Sequence, residues 1–287
     1  MRIGVSISST HENDGPARMI ERARTAHAAG FASLTIGDHH NMSTRYAQNT
    51  PMLGRLLAEW PDRPAGCLFL VPLWHPLLMA EHIGTLAAMH AGPFIVQTGI
   101  GSGAAQFAAF GRTERTRGVR LEQAIPLVQR LLAGDTVDDP EFDMTGAHVG
   151  LRPDGPVDWW MGAGVDAALE RAARLGDVWY AEPRLDLATA AARLDRYRTF
   201  GGERATLRRD VLVLSDGDEA RRIAEELVAR GYRGLGLDQL VVGSVDDAAE
   251  ELQRFHDLGF EEIVVRCMTV PQEQALETLE LLGTLAR

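Results

Sequence analysis

Residues 93–103 read Pro93-Phe-Ile-Val-Gln-Thr98-Gly99-Ile-Gly101-Ser-Gly103, an apolar strand pattern that runs into a loop with three glycines in five residues. Because glycine has no Cβ, such a loop lets the backbone come close to a flat or anionic ligand. A strand followed by an unusual loop recurs at Ile36-Gly37-Asp38-His39-His40 and at Trp160-Met161-Gly162-Ala163-Gly164. The three loops together predict one shared ligand pocket.

A repeated unit surrounds these loops: an amphipathic helix, a glycine that ends it, and a short apolar strand. Copies lie at residues 17–36 with Gly30, at residues 167–181 with Gly176 and at residues 248–265 with Gly259. Glycine after the last helical turn supplies a left-handed cap. Strands that are apolar on both faces are typical of parallel strands covered by helices.

Eight strands are predicted, and helical patterns separate nearly all of them. They are Arg2–Ser8, Ser33–Ile36, Cys67–Val71, Phe94–Thr98, Val157–Met161, Asp177–Ala181, Asp210–Ser215 and Glu262–Cys267. Eight strands with crossover helices in 287 residues predict an α/β fold, a single (β/α)8 TIM barrel over residues 1–287. The segment 134–156 breaks the rhythm with Pro, Gly and Asp and is predicted to be an insertion after the fourth helix.

Composition excludes several classes of function. With a net charge of −11 and no basic stripe, no nucleic-acid partner is expected. All 29 basic residues are arginine, which excludes Schiff-base chemistry, a lysine base and a Walker-A loop. The two cysteines, Cys67 and Cys267, predict no disulfide framework and fit a reducing cytoplasm. A strand from residue 3 leaves no room for a signal peptide, and no apolar run is long enough for a membrane span.

The candidate catalytic residues are His39 and His40. In a barrel, the loops after the strands line the active mouth, and histidine can exchange a proton near neutral pH. Adjacent side chains point apart, so one working histidine is expected, with His39 preferred. The alternative is that Asp38 caps the next turn and one histidine only packs.

The glycine loops leave alternatives open. The pattern from Gly99 to Ala104 is close to a dinucleotide fingerprint, but a Rossmann site needs the loop to open a helix directly and an acidic residue about 20 residues on. A turn without a ligand is a further possibility. At Gly162–Val165, free N–H groups at a helix N-terminus could bind phosphate, unless Asp166 satisfies those donors itself.

Other polar residues receive more ordinary interpretations. Cys67 is interpreted as a buried residue that packs beside a ligand, and no metal site is predicted from His75, His82 and His90. The arginine-rich run at residues 112–120 is expected to be a solvated, self-paired surface. Residues that follow the first strand, His11 and Asn13, are expected to reach the mouth. The insertion and the loop at residues 41–51 are expected to shape the substrate pocket.

Together these segments resemble the bacterial luciferase-like superfamily, barrel oxidoreductases that use reduced FMN or the deazaflavin coenzyme F420. The matching segments are Ala29-Gly30-Phe31 with Gly37-Asp38-His39-His40, His75-Pro76, Thr98-Gly-Ile-Gly-Ser-Gly103 through Phe110-Gly111, Arg171-Ala-Ala-Arg-Leu-Gly-Asp177-Val-Trp179, and Gly243-Ser-Val-Asp-Asp247 with Gly259-Phe260.

The resemblance implies a site. The cofactor ring would lie over the barrel mouth, against Thr98, Gly99, Gly101 and Ser102, with its phosphate near Gly162, Ala163, Gly164 and Val165. His39 matches a catalytic histidine of the superfamily. Cys67 and Leu68 fall where family members carry a cis peptide that supports the ring.

The departures from the family are informative. The F420-dependent sugar-phosphate dehydrogenases have a glutamate at Ala104 and a tryptophan at Ser43, which argues against that activity here. Luciferase has a reactive cysteine at Gly101, a phosphate-binding arginine at Ser102 and a phosphate-contacting threonine at Ala167, which argues against light emission.

The hypothesis favoured by the sequence is a cytoplasmic monooxygenase that uses reduced FMN and oxygen on a small organic substrate. Its alternative is an F420-dependent dehydrogenase or reductase that transfers a hydride. A non-catalytic FMN-binding flavoprotein and a flavin-free barrel enzyme acting on a phosphosugar are further alternatives. A homodimer is expected, and a separate flavin or F420 reductase could supply the reduced cofactor.

Overall fold

The computed structural model describes residues 1–8 and 15–286. Within them, the strands are β1 (Arg2–Ile7), β2 (Leu34–Ile36), β3 (Ala65–Leu70), β4 (Phe94–Gly99), β5 (Val137–Asp139), β6 (Met144–Ala147), β7 (Val157–Gly162), β8 (Val178–Ala181), β9 (Arg204–Val213), β10 (Leu240–Gly243) and β11 (Glu262–Cys267). The α-helices are α1 (Pro16–Ala29), α2 (Asn49–Leu56), α3 (Pro76–Ala88), α4 (Ala104–Ala109), α5 (Arg117–Ala133), α6 (Asp166–Leu175), α7 (Leu187–Thr199), α8 (Gly217–Ala229), α9 (Val245–Leu258) and α10 (Gln272–Gly283).

Eight parallel strands close into a barrel. Their order around the ring is β1-β2-β3-β4-β7-β8-β9-β11, and β11 pairs with β1 to complete it. The predicted (β/α)8 barrel is therefore confirmed, and each of the eight predicted strands is a member of the ring. Parallel strands put all of their carboxyl ends at one mouth, so the loops singled out by sequence meet there.

The extent and the pairing of strand β9 differ from the prediction. This strand begins at Arg204 rather than Asp210, and charged residues on alternate positions, Arg204, Arg208 and Asp210, hide its apolar pattern. Its first half pairs with β8 through residues 204–207, and its second half pairs with β10 through residues 210–213. The short strand β10, which was not predicted, thus extends the sheet where β9 parts from β8.

The core has two parts. Most buried apolar residues pack between the strands and the surrounding helices. A separate small cluster consists of Ile95, Trp160, Val178 and Val264. Ile95 is two residues from the buried Gln97 and so lies on the same face of β4, which we assign to the inside of the barrel. The barrel interior is therefore packed at this level, and a ligand is expected at the carboxyl end, as in other barrels of this type.

Two of the three predicted glycine caps are confirmed. Gly30 (φ 96°) and Gly259 (φ 110°) adopt the left-handed conformation after α1 and α9. Gly176 does not, because its φ of −119° and ψ of 173° are extended. A Cβ there would overlap the side chain of Met161, so this glycine serves close packing of α6 against β7.

The segment between α5 and β7 contains an antiparallel hairpin of β5 and β6. It is joined to the barrel through His75, whose Nε2 lies 2.8 Å from the carbonyl oxygen of Phe142. Of the helices in the described ranges, none combines the length and the apolar character that crossing a bilayer requires.

Candidate functional site

A cavity of about 450 Å³ opens at the carboxyl end of the barrel, and we call it the mouth cavity. Its wall consists of the ends of β3, β4, β7 and β8, the residues that follow them, Arg117 at the start of α5 and Arg208 of β9. Seven predicted cofactor-binding residues line it together: Leu68, Thr98, Gly99, Gly162, Ala163, Gly164 and Val165. The cavity is mainly apolar, as ligand pockets for ring systems are.

Glycine is required on one side of this cavity by close backbone approach. A Cβ at Gly162 would lie 2.9 Å from the carbonyl oxygen of Thr98, and one at Gly164 would lie 3.1 Å from a carboxylate oxygen of Glu182. The indole Nε1 of Trp179 donates a hydrogen bond of 2.9 Å to the carbonyl of Ala163. The loop after β7 is therefore closely packed, with little room for side chains at Gly162 and Gly164.

The start of α6 has free donors. Its N-cap residue, Val165, provides no side-chain hydrogen bond to the first turn. The carboxylate of Asp166 accepts a 2.9 Å hydrogen bond from Nε of Arg196, which gives no support to the alternative in which Asp166 satisfies these N–H groups. With the positive end of the helix dipole, this terminus suits an anionic group such as phosphate.

Arg117 adds a positive charge to the same cavity. Its Nη1 donates a 2.8 Å hydrogen bond to the carbonyl of Gly101 and lies 3.0 Å from a carboxylate oxygen of Glu114. Gly101 therefore borders the site through its backbone without lining the cavity, whereas Ser102 is exposed. Sequence reasoning placed both residues at the ring and assigned Arg117 to a solvated, self-paired surface.

The glycine loop has the backbone conformation that its composition predicts. Gly101 (φ 69°) and Gly103 (φ 99°) both occupy the left-handed region. Helix α4 begins directly after Gly103, so the argument that this loop opens no helix is wrong. The closed barrel nevertheless excludes a Rossmann site, which needs an open sheet.

Cys67 and Leu68 differ in exposure. The Cys67 side chain is completely buried, and burial raises the pKa of its thiol well above the usual value. Leu68 lines the mouth cavity, and its carbonyl accepts a 2.6 Å hydrogen bond from the Asn49 amide. The peptide between the two residues is trans, as are all peptides in the described residues, so the expected cis bond is absent.

Asp38 organises the loop after β2. One of its carboxylate oxygens accepts hydrogen bonds of 2.8 Å from the backbone N–H of Leu70 and from the indole of Trp74. Its other oxygen lies 3.2 Å from Nε2 of His40. Asp38 therefore ties the loop to the end of β3 and does not cap a turn.

His40 is held on all sides. Its backbone N–H donates a 2.7 Å hydrogen bond to the Gln106 side chain, and its ring packs edge-on against Phe110 with a centroid distance of 4.9 Å. These contacts with Asp38, Gln106 and Phe110 fix the position of His40, although its Nε2 atom has no hydrogen-bond partner, and a catalytic role for His40 stays a prediction.

His39 is less constrained. Its ring is half-buried, and among the described residues its recorded ring neighbour is Tyr46, at a centroid distance of 6.1 Å. Burial lowers the pKa of His39, although the neighbouring Asp38 carboxylate opposes this effect. Neither histidine belongs to the described lining of the mouth cavity; both lie beside it, on the loop that is bonded to β3. A catalytic role for His39 therefore remains a prediction.

Polar residues inside the barrel form a group that sequence reasoning missed. Arg208 and Tyr180 line the mouth cavity. Arg208, Arg233 and Arg266 lie 3.3–3.6 Å from the fully buried carboxylate of Asp210, which also accepts a 2.9 Å hydrogen bond from Tyr232. The available signal was the alternation of polar residues at positions 206, 208 and 210.

The arginine-rich run also departs from expectation. Arg117 is paired within the run, as predicted, but Arg112 and Arg120 are half-buried, and their Nε atoms lack hydrogen-bond partners. His11 and Asn13 lie outside the described residues. No group of three or more potential metal ligands occurs in the described part of the chain.

The protein is a TIM barrel whose carboxyl end combines an apolar cavity, glycine-lined walls and an uncapped helix terminus. The chain belongs to the luciferase-like monooxygenase family, whose model matches residues 1–236. The suspected resemblance is thereby confirmed.

Two curated relatives are named F420-dependent glucose-6-phosphate dehydrogenase. The one from Kribbella flavida is 26% identical, with 62% of this chain and 56% of the relative aligned. The one from Microbacterium testaceum is 26% identical, with 96% of this chain and 94% of the relative aligned. The chain thus spans little more than half of the first relative and nearly all of the second.

Solved structures share the fold. The monooxygenase RslO1 from Streptomyces bottropensis matches with a TM-score of 0.86 at 19% identity, over 99% of this chain and 98% of that one. An F420-dependent secondary alcohol dehydrogenase, in complex with an F420-acetone adduct, matches with a TM-score of 0.82 at 16% identity. The match covers 100% of this chain and 99% of that one.

Proposed function

We propose that the protein is an F420-dependent oxidoreductase that moves a hydride between the deazaflavin and a small organic substrate. The observation that carries this proposal is the mouth cavity, in which an apolar wall, a glycine-lined backbone and an uncapped helix terminus face the same space. The names of the curated relatives favour F420 over FMN. Glucose 6-phosphate is not proposed as the substrate, because Ala104 and Ser43 replace family residues of that activity.

The residues present fit such a cofactor. Leu68, Ile100 and Ala163 provide apolar surface for a flat ring system. Backbone at Gly162 and Gly164 approaches closely, and the N–H groups at the start of α6 would hold the phosphate with Arg117. When bound, the deazaflavin supplies a hydride acceptor or donor, and the protein orients it and excludes water.

His39 would handle the proton. Because burial lowers its pKa, its ring is neutral at pH 7 and can accept a proton. In the oxidation of an alcohol, the hydroxyl proton would pass to a ring nitrogen of His39 while the carbon loses its hydrogen as hydride and the C–O bond becomes a carbonyl. Cys67 takes no part, since its thiol is buried and protonated.

A monooxygenase that uses reduced FMN and oxygen is the second candidate. It is favoured by the closeness of this fold to RslO1, and its phosphate would occupy the same helix terminus. Titration of the purified protein with F420 and with FMN, followed by fluorescence, separates the two candidates. Binding of F420 without FMN supports the proposal, whereas FMN binding with oxygen consumption supports the second candidate.

A substitution at the helix terminus sharpens this test. Val165 is 68% exposed, and in Val165→Asp the new carboxylate would cap α6 and repel phosphate. We expect the affinity for the cofactor to fall about tenfold or more, because charge-assisted hydrogen bonds to the phosphate are lost. The thermal stability should not fall. Leu151→Asp, at another exposed apolar position, is the matched control. Equal cofactor affinity in the two variants would argue against phosphate at α6.

A homodimer and a separate reductase that returns the cofactor to its working redox state are further parts of the proposal. Light scattering tests the first. Steady-state turnover with and without an added F420 reductase tests the second. Stable cofactor binding without turnover of any substrate would instead support the non-catalytic flavoprotein.

A further inference from the structure

A second cavity, of about 380 Å³, lies between the end of α4 and the start of α5. Its lining includes Pro72, Phe107, Arg112, Arg117 and Arg120, and we call it the arginine pocket. Arg117 also lines the mouth cavity. The two cavities are therefore adjacent and share the Arg117 side chain as a wall.

Arg112 and Arg120 lack the partners that such residues usually have. The Nε atom of each is buried without a hydrogen-bond partner, and neither forms an ion pair with a described residue. Burial lowers the pKa of Arg112, and burial together with the charge of Arg112 lowers the pKa of Arg120. Buried charges are normally paired. The chain has more carboxylates than arginines, with a net charge of −11, so a shortage of acidic residues does not explain why these two arginines lack ion pairs.

Two of the three guanidinium groups in the pocket are held in place by contacts, and the Glu141 carboxylate partly offsets the charge of Arg120. The Arg120 guanidinium lies over the Phe142 ring, 4.2 Å from its centroid, so an aromatic face supports it. Arg117 is fixed by the Gly101 carbonyl and Glu114. Planar guanidinium groups bind carboxylates and phosphates through paired hydrogen bonds, and the unpaired Arg112 and Arg120 keep that capacity.

We propose that the arginine pocket binds a group with several carboxylate or phosphate oxygens, and that this group is the acidic, glutamate-bearing tail of F420. The inference that the group belongs to F420 rests on the proposed function. The inference that the group is an anion rests on the arginine pocket alone. FMN has no such tail beyond its single phosphate, so the pocket would distinguish the two cofactors. A free polyphosphate is the other source of the same chemistry.

The test compares three ligands in three forms of the full-length protein. The ligands are F420, its deazaflavin precursor without phosphate and tail, and inorganic pyrophosphate. The forms are the wild type, the Arg112→Gln/Arg120→Gln double variant and the control Arg115→Gln, which changes an exposed arginine of the same run outside the pocket. Affinities are measured by calorimetry, and folding is checked by thermal melting.

We expect the double variant to bind F420 about 10- to 100-fold more weakly than the wild type does, because hydrogen bonds between charged groups are lost. Its affinity for the precursor should equal that of the wild type. The control should match the wild type. If the double variant melts early, the single variants Arg112→Gln and Arg120→Gln replace it.

The remaining outcomes separate the two proposals. If the wild type binds no deazaflavin but binds pyrophosphate, and the double variant loses that binding, the pocket is an anion site and the F420 function is wrong. If the double variant loses pyrophosphate but keeps F420, the anion is not the cofactor tail. If it keeps wild-type affinity for both F420 and pyrophosphate, the arginine pocket is not a ligand site.

Discussion

At the scale of single residues, His39 and His40 are neighbours in sequence with different surroundings. His40 is fixed by Asp38, Gln106 and Phe110, so its replacement should mainly affect packing. The His39 ring is left in a half-buried position with a lowered pKa. This difference is the reason why we propose His39, rather than His40, for the chemical role.

We predict that His39→Gln lowers kcat by about 10²- to 10⁴-fold, the usual contribution of a general base. In the wild type, kcat/KM should rise with pH through a value below 6.5, because burial lowers the His39 pKa from that value. His148→Gln, at an exposed position, is the control. An acidic limb of the pH profile that survives unchanged in His39→Gln would show that another group titrates.

Site residues were predictable from sequence where the signal is local. Gly99, Gly162 and Gly164 stand out because each is a glycine at or directly after the end of an apolar strand pattern. Arg117 and Arg208 were missed because they reach the mouth cavity from positions far apart in sequence. No spacing rule connects an arginine at the start of a helix with one in the middle of a strand.

At the scale of elements, the contact between β3 and β4 depends on Gly66. A Cβ at this position would overlap the carbonyl oxygen of Ile95, which is backbone and cannot turn aside. We predict that Gly66→Ala lowers the free energy of unfolding by about 1–3 kcal/mol, the usual cost of overpacking. Chemical denaturation measures this loss.

Gly150→Ala provides the comparison for Gly66, because nothing lies within 4 Å of its added Cβ. We expect that variant to change stability by no more than about 0.5 kcal/mol, as for other surface substitutions. Equal stability of both variants would mean that the barrel accommodates a wider strand spacing.

Arg209 of β9 joins this strand to the segment after β8, at the point where the two strands no longer pair. Its guanidinium is buried, lies 4.0 Å from the Phe255 ring centroid and donates hydrogen bonds to the carbonyls of Pro183 and Leu185, which follow β8. Burial lowers its pKa to about 10, so it stays charged at neutral pH. One side chain thus replaces the missing hydrogen bonds of the sheet.

We predict that Arg209→Met destabilises the fold by about 1–3 kcal/mol for each buried carbonyl left without a donor. Arg222→Met removes an exposed arginine that is paired with Glu219 and Glu226, and should cost less than about 1 kcal/mol. Urea denaturation of both variants gives the comparison. Similar losses would show that the carbonyls find water.

The strong apolar strands and their glycine-capped helices were predictable because their periodicity is local. β10 was missed because Leu240–Gly243 is too short to show a pattern and is stabilised by β9, a contact remote in sequence. The early start of β9 was missed because its inward side chains are charged. In both places, contacts between segments that are remote in sequence override the local pattern.

At the scale of the whole molecule, buried histidines link stability to pH. Burial lowers the pKa of both His39 and His90 from 6.5. The unfolded chain then binds more protons than the folded one as pH falls below 6.5, so these groups cost stability there and have no effect well above it.

We predict that the free energy of unfolding declines as pH falls from 6.5 toward 5. His90→Gln should make this decline shallower, because it removes one of the two contributing groups while an amide can still donate to the carbonyl of Arg63, the present partner of His90. Denaturation at several pH values checks this. An unchanged slope in the variant would assign the decline to other groups.

The two buried cysteines allow opening of the barrel to be followed directly. Cys67 lies in β3 and Cys267 in β11, with β1 and β2 between them, and burial raises the pKa of both thiols. An alkylating reagent reacts with thiolate, so each sulfur is protected until its own strand separates. With one cysteine replaced at a time, alkylation rates would tell whether the two strands loosen independently or only when the entire chain unfolds.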